Sequence, residues 1–271
     1  MPELPEVETI RRGISPAMTQ ASVDEIIIRQ SKLRYPVPSH LAKELTGARI
    51  LSVRRRAKYL IIPTTANKSL IIHLGMSGKL SITSHASPQK KHDHIDLILN
   101  NGTLIRYNDP RRFGFWQWES DPEQLGYIAR LGPEPTPEAF FLEEFMAQLA
   151  RRKAAIKQVI MDNQVVVGVG NIYANESLFA AGISPKRSAC SLSADEVHKL
   201  HQAIIRVISK AVDVGGTTLK DFYSADGSPG YFAQELMVYG RLNAPCMVCQ
   251  TPIEAIVLGQ RRSFYCPNCQ Q

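Results

Sequence analysis

The sequence predicts an α+β protein with three successive parts: a β-sandwich domain that begins with a helix, a helical domain, and a small C-terminal module. Short segments rich in Ile, Leu and Val crowd the first part, which is typical of a sandwich or barrel. A proline-rich stretch follows, and longer segments with helical periodicity come after it. The boundaries we expect are 1–131 for the first domain, 132–137 for a linker, 138–235 for the helical domain and 236–271 for the terminal module.

The N-terminal part opens with a predicted helix over 5–18, because Val7, Ile10 and Ile14 recur at helical spacing. Strands are then predicted wherever a short apolar run lies between turn residues. The clearest hairpin signal is Asn101-Gly102, which separates two alternating runs. The predicted strands are 23–29, 50–53, 59–62, 69–74, 94–100 and 103–107.

The second part is predicted to be helical. Its strongest helix begins at a capping box formed by Ser193 and Glu196, continues through an apolar stripe that includes Val197 and Leu200, and stops at the glycines 215–216. The predicted helices are 138–150, 154–163, 171–181 and 194–214.

The charge balance favours a polyanionic partner. The 271 residues carry 32 Lys and Arg against 25 Asp and Glu, a net charge of +7. Each phosphate that a basic residue neutralises releases condensed counterions, so clustered Lys and Arg favour nucleic acid. Four clusters occur, although each could also be an ordinary solvated face. They are Arg54-Arg55-Arg56 with Lys58, Arg111-Arg112, Arg151-Arg152-Lys153 with Lys157, and Arg261-Arg262.

The hydropathy pattern predicts no membrane association. No apolar run approaches the roughly 20 residues that cross a bilayer, and no basic cluster lies on an apolar amphipathic helix. The acidic N-terminus also lacks the apolar core of a signal peptide. We therefore expect a cytoplasmic protein.

Two cysteine pairs predict one structural zinc ion. Cys246 and Cys249 form the first CxxC pair, Cys266 and Cys269 form the second, and sixteen residues lie between the two pairs. Two such pairs close a tetrahedron and leave no open position, which favours structure over zinc catalysis. Two disulfides or unbound thiols are the alternative, less favoured because cytosolic thiols stay reduced.

The segment between the cysteine pairs predicts a hairpin. Its strands would be 253–257 and 263–265, with Gln260, Arg261 and Arg262 at the tip. A hairpin braced by zinc, with arginines at its tip, could probe a nucleic-acid groove. The fifth cysteine, Cys190, has no partner pattern and is expected to pack in the interior.

The N-terminus allows two interpretations. Proline and acidic residues suit the first turn of a helix, so 2–8 could simply be a helix start. However, a small second residue allows Met1 to be removed, and Pro2 would then carry a terminal secondary amine. An α-amino group has a pKa of about 7.7–8.0, so a useful fraction is unprotonated at neutral pH. Such an amine is a nucleophile that can form a Schiff base with a sugar carbon.

Several segments, in order along nearly the whole chain, resemble the bacterial formamidopyrimidine-DNA glycosylase family. The matching segments are MPELPEVET at 1–9, RRAKY at 55–59, HLGMSG at 73–78, KHDH at 91–94, DPRRFG at 109–114, GVGNIY at 168–173, GGTTLKDF at 215–222 and the four-cysteine module. Each segment alone is modest, but together they are highly specific.

The resemblance implies a bifunctional DNA glycosylase and abasic-site lyase that acts on oxidised purines, such as 8-oxoguanine and formamidopyrimidines, in duplex DNA. It implies that Pro2 is the nucleophile, that Glu3 is the general acid, that Lys58 assists β-elimination and that Arg261 assists δ-elimination. It also implies a helix–two-turns–helix motif and a zinc finger in the C-terminal half. We expect a monomer.

The resemblance also implies which residues contact DNA. His92, Arg111 and Arg152 match DNA-contacting positions, although the choice among 151–153 stays open. Asn171 matches a residue that grips backbone phosphate. Lys157, which belongs to the third basic cluster, is also predicted to bind DNA. Met76 and Phe113 match, with Arg111, a wedge that fills the gap left by a flipped nucleotide.

Other interpretations of these residues stay open. Without the resemblance, Met76 and Phe113 would be ordinary core residues. Glu6 could orient the N-terminal site or simply solvate the helix. His92, His94 and Asp96 could form a metal cluster, but a polar or phosphate-facing strand is favoured. His73 is expected to be a hydrogen-bonded core histidine.

Two rival functions remain at this point. An endonuclease VIII-type glycosylase would prefer oxidised pyrimidines and shares the terminal Pro–Glu pair and the finger. A non-catalytic zinc-ribbon protein would bind DNA without forming a covalent adduct.

Overall fold

The computed structural model describes residues 2–84, 86–216 and 236–271. Among them, 2–129 with 215–216 form one compact unit, and 130–214 with 236–271 form another. Part of the matched segment 215–222 lies outside the described residues, as does the end of the predicted helical domain at 235. The finer boundaries of the linker, helical domain and finger stay predictions.

The first unit contains two four-stranded antiparallel sheets. The strands are β1 (Val23–Ile28), β2 (Arg54–Arg56), β3 (Tyr59–Pro63), β4 (Ser69–His73), β5 (Lys79–Thr83), β6 (Asp93–Leu99), β7 (Leu104–Asn108) and β8 (Phe115–Glu119). The order of neighbouring strands is β1-β6-β7-β5 in the first sheet and β2-β3-β4-β8 in the second. Side chains from both sheets enter one apolar core, which confirms the predicted β-sandwich.

Helix α1 (Leu4–Met18) is part of the same core. Its buried stripe is the one that the periodicity predicted, since Val7, Ile10 and Ile14 are at most 1% exposed. Two shorter helices, α2 (Leu41–Leu45) and α3 (Gly126–Ala129), complete the helices described in this unit.

The strand predicted at 50–53 is wrong. Ile50 makes one isolated bridge to Thr64, and the regular strand begins only at Arg54. The apolar residues are nevertheless held in place, because the Ile50 N–H donates to the Ala21 carbonyl and the Leu51 N–H donates to the Pro63 carbonyl. The apolar pattern at 50–53 therefore reflects packing in the core and not a regular ladder of strand hydrogen bonds. Strands β5 and β8 and helices α2 and α3 were not among the predicted elements.

The second unit is helical and ends in a hairpin, as predicted. Its helices are α4 (Leu142–Ala150), α5 (Ile156–Ile160), α6 (Asn171–Ala181) and α7 (Ala194–Asp213), and its strands are β9 (Glu254–Leu258) and β10 (Arg261–Tyr265). Helix α7 begins at the predicted capping box, in which Ser193 N–H donates to Glu196 and Glu196 N–H donates to Ser193 Oγ. Helices α4 and α5 are shorter than predicted.

A buried carboxylate ties α1 to the edge of the second sheet. Glu8 accepts hydrogen bonds from Arg11 and, across 47 residues, from Arg55 at 3.0 Å. Burial alone would raise the pKa of Glu8, but the hydrogen bonds and charges of these two arginines outweigh it and lower that pKa to about 2. Ionised Glu8 therefore stabilises the folded state at neutral pH.

We predict that Glu8→Gln lowers the free energy of unfolding at pH 7 by about 2 kcal/mol, the scale of hydrogen bonds to a charged group. Because the folded-state pKa of Glu8 is depressed, this difference should be complete above about pH 4.5 and shrink as the pH falls towards 2. Urea unfolding followed by circular dichroism at several pH values measures it. Glu25→Gln, an exposed change on β1, is the control and should have little effect. A loss that does not depend on pH would contradict the prediction.

Candidate functional site

The N-terminal Pro–Glu pair lies at the buried start of α1. Pro2 and Glu3 are both buried, and Glu3 is only 2% exposed. Glu6, one turn along the helix, is equally buried and accepts a hydrogen bond from the Glu3 N–H at 2.8 Å. The interpretation of Glu6 as a solvating residue is therefore wrong, and its carboxylate holds the backbone of the predicted general acid.

Gly216 closes over this carboxylate. Its backbone has φ of +79°, and a Cβ at this position would lie 2.9 Å from Glu6 Oε1. Only glycine combines this left-handed conformation with so close an approach. The second glycine of the matched pair at 215–216 therefore meets the same carboxylate that orients Glu3.

Lys58 lies in the two-residue turn that joins β2 to β3. Arg56 and Tyr59 pair across this turn, and Ala57 has φ of +51°, an uncommon conformation for a residue with a side chain. Arg55 stabilises the turn, because it donates to the Ala57 carbonyl at 3.0 Å while also binding Glu8. The same arginine thus connects helix α1 to the turn that carries Lys58.

His73, at the end of β4, is a neighbour of Lys58 that the sequence interpretation assigned to the core. It is half-buried, and burial, with the nearby charges of Lys58 and Arg34, lowers the pKa of His73 to about 4. The ring is therefore neutral at pH 7, and Nδ1 accepts a hydrogen bond from the Gly75 N–H at 3.1 Å. The expected hydrogen-bonded histidine is present, but beside the candidate site.

The three predicted wedge residues lie on two adjoining turns. Met76 is 39% exposed and Phe113 is 43% exposed, so the alternative interpretation of both as core residues is wrong. The Arg111 guanidinium lies 4.7 Å from the centre of the Phe113 ring. The turns touch through their backbones, since a Cβ at Gly75 would collide with the main chain of Phe113.

His92 lies just before β6, in a left-handed conformation with φ of +73°. Its carbonyl accepts the Asp109 N–H at 3.1 Å, which connects it to the turn that carries Arg111. His94 and Asp96 do not share an exposed face with it: both are buried, His94 against the Asp109 carbonyl and Asp96 against Arg29 and Arg106. The phosphate-facing strand is therefore wrong for His94 and Asp96.

The structure corrects the interpretation of Lys157 as part of an exposed basic cluster. Lys157 is 1% exposed, and its ammonium donates to Asn171 Oδ1 at 2.6 Å, to Ser263 Oγ at 2.7 Å and to the Arg262 carbonyl at 3.2 Å. A buried ammonium is tolerated only when its donors are paired in this way. Lys157 therefore joins α5, the first residue of α6 and strand β10.

Asn171 and Arg152 have different surroundings. The Asn171 side chain also donates to the Arg262 carbonyl at 3.2 Å, so both ends of its amide are engaged. Arg152 lies outside this network and pairs with Asp162 at 2.9 Å, with both side chains about one-third exposed. Its neighbours Arg151 and Lys153 are exposed.

Arg261 begins strand β10 and pairs with Leu258 across a two-residue turn at 259–260. The side chain is exposed next to the tip, close to the predicted place, although the strands extend further towards the tip than expected. Cys190 is exposed, so the expectation that it packs in the interior is wrong.

The four paired cysteines converge on one point. Their sulfur atoms all lie within 4.8 Å of one another, with Cys246 and Cys269 3.9 Å apart and Cys249 and Cys266 3.4 Å apart. Tetrahedral Zn–S bonds of about 2.3 Å require S···S separations of about 3.8 Å, so these thiolates fit one Zn²⁺. Among the described residues, no other group of His, Cys, Asp and Glu side chains is close enough to hold a metal.

Comparison with known proteins matches three family models in sequence order. The formamidopyrimidine-DNA glycosylase N-terminal domain matches 1–116, the H2TH domain of the same enzymes matches 131–223, and a zinc finger found in FPG and IleRS matches 244–271. The chain belongs to the formamidopyrimidine-DNA glycosylase family.

Individual glycosylases agree with this assignment. The chain is 54% identical to the formamidopyrimidine-DNA glycosylase of Hydrogenovibrio crunogenus, covering all of this chain and 97% of that protein. It is 53% identical to the Salmonella arizonae enzyme over the full length of both. A mutant of the Lactococcus lactis glycosylase, in complex with DNA containing Fapy-dG, superposes with a TM-score of 0.93 at 37% identity, each chain fully covered.

Membership confirms the family that the sequence motifs resemble, the predicted fold class and the single structural zinc of the glycosylase finger. The individual roles of the site residues stay predictions.

Within the described residues, no helix is both long and apolar enough to span a membrane. Glu6 and His73 lacked a deciding signal in the sequence, since a helical glutamate and a strand-end histidine have many uses.

We predict that Cys249→Ser loses zinc to a chelator that leaves the parent protein loaded, because three ligands hold the ion less tightly than four. Since metal affinity contributes to folding, the variant's hairpin should also unfold earlier on heating. Zinc per chain after chelation, measured by atomic absorption, tests this. Cys190→Ser, which changes the one cysteine outside the cluster, should keep one zinc. Equal retention in both variants would contradict the assignment.

Proposed function

We propose that this chain is a DNA glycosylase and abasic-site lyase that removes oxidised purines, such as 8-oxoguanine and formamidopyrimidines, from duplex DNA. Family membership supports the activity. The observation that carries the mechanism is the buried start of α1, where Glu6 holds the Glu3 backbone directly after Pro2. A nucleophile and an acid in adjacent positions of one rigid turn are held in a fixed geometry, which is what such catalysis requires.

The first step is base release. Once Met1 is removed, the Pro2 nitrogen attacks C1′ of the damaged nucleotide, the bond from C1′ to the base breaks, and the base leaves with the proton that the attacking amine gives up. Glu3 then gives a proton to the sugar ring oxygen as the ring opens, and the nitrogen and C1′ form an iminium. A side chain that donates a proton in this way contributes about 10²–10⁴ in rate.

Strand cleavage follows from the iminium, which withdraws electrons and acidifies the adjacent sugar proton. Loss of the C2′ proton expels the 3′ phosphate, and loss of the C4′ proton expels the 5′ phosphate. Lys58 assists the first elimination and Arg261 assists the second. The zinc ion takes no part, because four thiolates complete its coordination.

DNA binding is assigned to several exposed or half-exposed groups of both units. Met76, Arg111 and Phe113 form the wedge that enters the duplex when the nucleotide is flipped out, a process that costs a few kcal/mol. His92 and Arg152 contact phosphates. When Arg152 binds a phosphate, it gives up part of its ion pair with Asp162. Lys157 acts indirectly, since its ammonium holds the Asn171 amide in place.

Related complexes support this partner. Solved structures of the Lactococcus lactis enzyme hold DNA with Fapy-dG, with an abasic site or with an oxidised pyrimidine. Duplex DNA with a damaged base is therefore the proposed substrate. A monomeric state and a cytoplasmic location, close to the bacterial nucleoid, stay predictions.

Covalent trapping tests the role of Pro2. The chain is expressed with a removable N-terminal extension, and the same preparation is compared before and after a protease exposes Pro2. We expect borohydride and 8-oxoguanine DNA to give a cross-linked species only after removal, with the adduct on Pro2, while DNA affinity is the same before and after. Trapping that does not require a free Pro2 would contradict the mechanism, and no trapping at all would favour a non-catalytic zinc-ribbon protein.

A second experiment separates the two glycosylase branches. We expect 8-oxoguanine opposite cytosine to be excised at least about tenfold faster than thymine glycol opposite adenine, because even a small mismatch between a pocket and its substrate separates rates by about 10–200-fold. Single-turnover rates with both duplexes measure this preference. Faster excision of thymine glycol would favour the endonuclease VIII-type alternative.

A further inference from the structure

Asp109 is a buried carboxylate to which neither the mechanism nor the DNA contacts give a role. It follows strand β7 directly and is 0% exposed. An isolated carboxylate in such a place is costly, so its hydrogen-bond partners must compensate. These partners come from three different segments of the first unit.

Both oxygens of Asp109 accept short hydrogen bonds. Oδ1 accepts from Ser77 Oγ at 2.6 Å, and Oδ2 accepts from the Gly114 N–H and from the Tyr107 hydroxyl, both at 2.9 Å. Burial and the neighbouring carboxylate raise the pKa of Tyr107, so this hydroxyl stays protonated and remains a donor. Each oxygen therefore has at least one strong donor.

Two of these donors are next to the wedge residues. Ser77 follows Met76, and Gly114 follows Phe113. Ser77 Oγ in addition accepts the Arg111 N–H at 3.2 Å. One carboxylate thus joins the turn that carries Met76 to the turn that carries Arg111 and Phe113.

The Asp109 main chain extends this connection. Its carbonyl accepts from His94 Nε2 at 2.8 Å and from the Arg112 N–H at 3.2 Å, and its own N–H donates to the His92 carbonyl. Asp109 is therefore also attached to the start of strand β6, while Met76 and Phe113 remain exposed.

We propose that Asp109 is a positioning residue that keeps the Met76 turn and the Arg111–Phe113 turn in register, so that they enter the duplex as one rigid wedge. The proposal rests on the function proposed above. A wedge made of two separate turns can separate the stacked bases only if the turns cannot slide past each other. Hydrogen bonds from both turns to the shared, buried Asp109 carboxylate prevent such sliding.

The test compares one lesion in two settings. The first substrate carries 8-oxoguanine in a fully paired duplex, and the second carries it in a small unpaired bubble, where no base pair resists extrusion. The first variant is Asp109→Asn, in which an amide NH₂ replaces one of the oxygens that accept the present hydrogen bonds. The second is Ser77→Ala, which removes the hydrogen bond from the Met76 turn and keeps the carboxylate. Tyr107→Phe is the matched control, because it removes a donor of the same carboxylate that does not come from a wedge turn.

We expect Ser77→Ala and Asp109→Asn to slow excision from the paired duplex by about tenfold, the scale of one hydrogen bond to a charged group, and to leave the bubble rate within about twofold. Tyr107→Phe should keep the parent ratio of the two rates. Fluorescence of 2-aminopurine beside the lesion should show less unstacking on binding of the first two variants.

Two results would overturn the proposal: an equal fall on both substrates, which indicates a general structural role, or no fall on the paired duplex. If Asp109→Asn does not fold, Ser77→Ala and Tyr107→Phe still decide between these results. Failure of the parent protein to cut either substrate is a different outcome, which would reject the proposed function and this inference with it.

Discussion

The start of helix α1 places three carboxylates where little water reaches them, and the candidate catalytic arrangement depends on how they are held. Glu3, Glu6 and Glu8 are at most 9% exposed. Glu6 accepts the Glu3 backbone N–H, and Glu8 binds Arg55, whose guanidinium also holds the turn that carries Lys58. An ordinary solvated helix start would leave Pro2 and Glu3 free to fray. Burial of this turn against the sandwich core keeps Pro2 and Glu3 in a fixed position.

A comparable arrangement stabilises the second unit, with different chemistry. The zinc-binding cysteines hold the ends of the hairpin together, and the buried Lys157 joins that hairpin to α5 and α6. Phe264 N–H donates to Asn175 on α6, which adds a second connection from the same helix to β10. A small module with few apolar residues needs such links, because its core alone does not compensate the entropy of ordering it.

The exposed apolar side chains of the first unit are supported from behind. Met76 and Phe113 project from turns whose backbones touch and whose hydrogen bonds converge on Asp109. An exposed apolar side chain stabilises the fold less than a buried one does. Exposed apolar groups on a rigid backbone therefore indicate a binding role and not a role in the fold. The neutral, half-buried His73 near Lys58 supports the Met76 turn in another way. Its ring accepts a hydrogen bond from Gly75 and adds no charge.

Features with local physical causes were determined by the sequence itself. The CxxC spacing defined the zinc ligands and the Ser193–Glu196 capping box defined the start of α7, because each of these signals depends on residues close together in the chain. The order of the matched segments along the chain identified the family without any knowledge of their packing. The tertiary structure alone decided the rest. Whether 50–53 forms a ladder, whether Lys157 is solvated, and which partners Asp109 binds all depend on segments distant in sequence. A basic run or an apolar run has the same pattern in either case, and only packing determines whether its polar groups face water or each other.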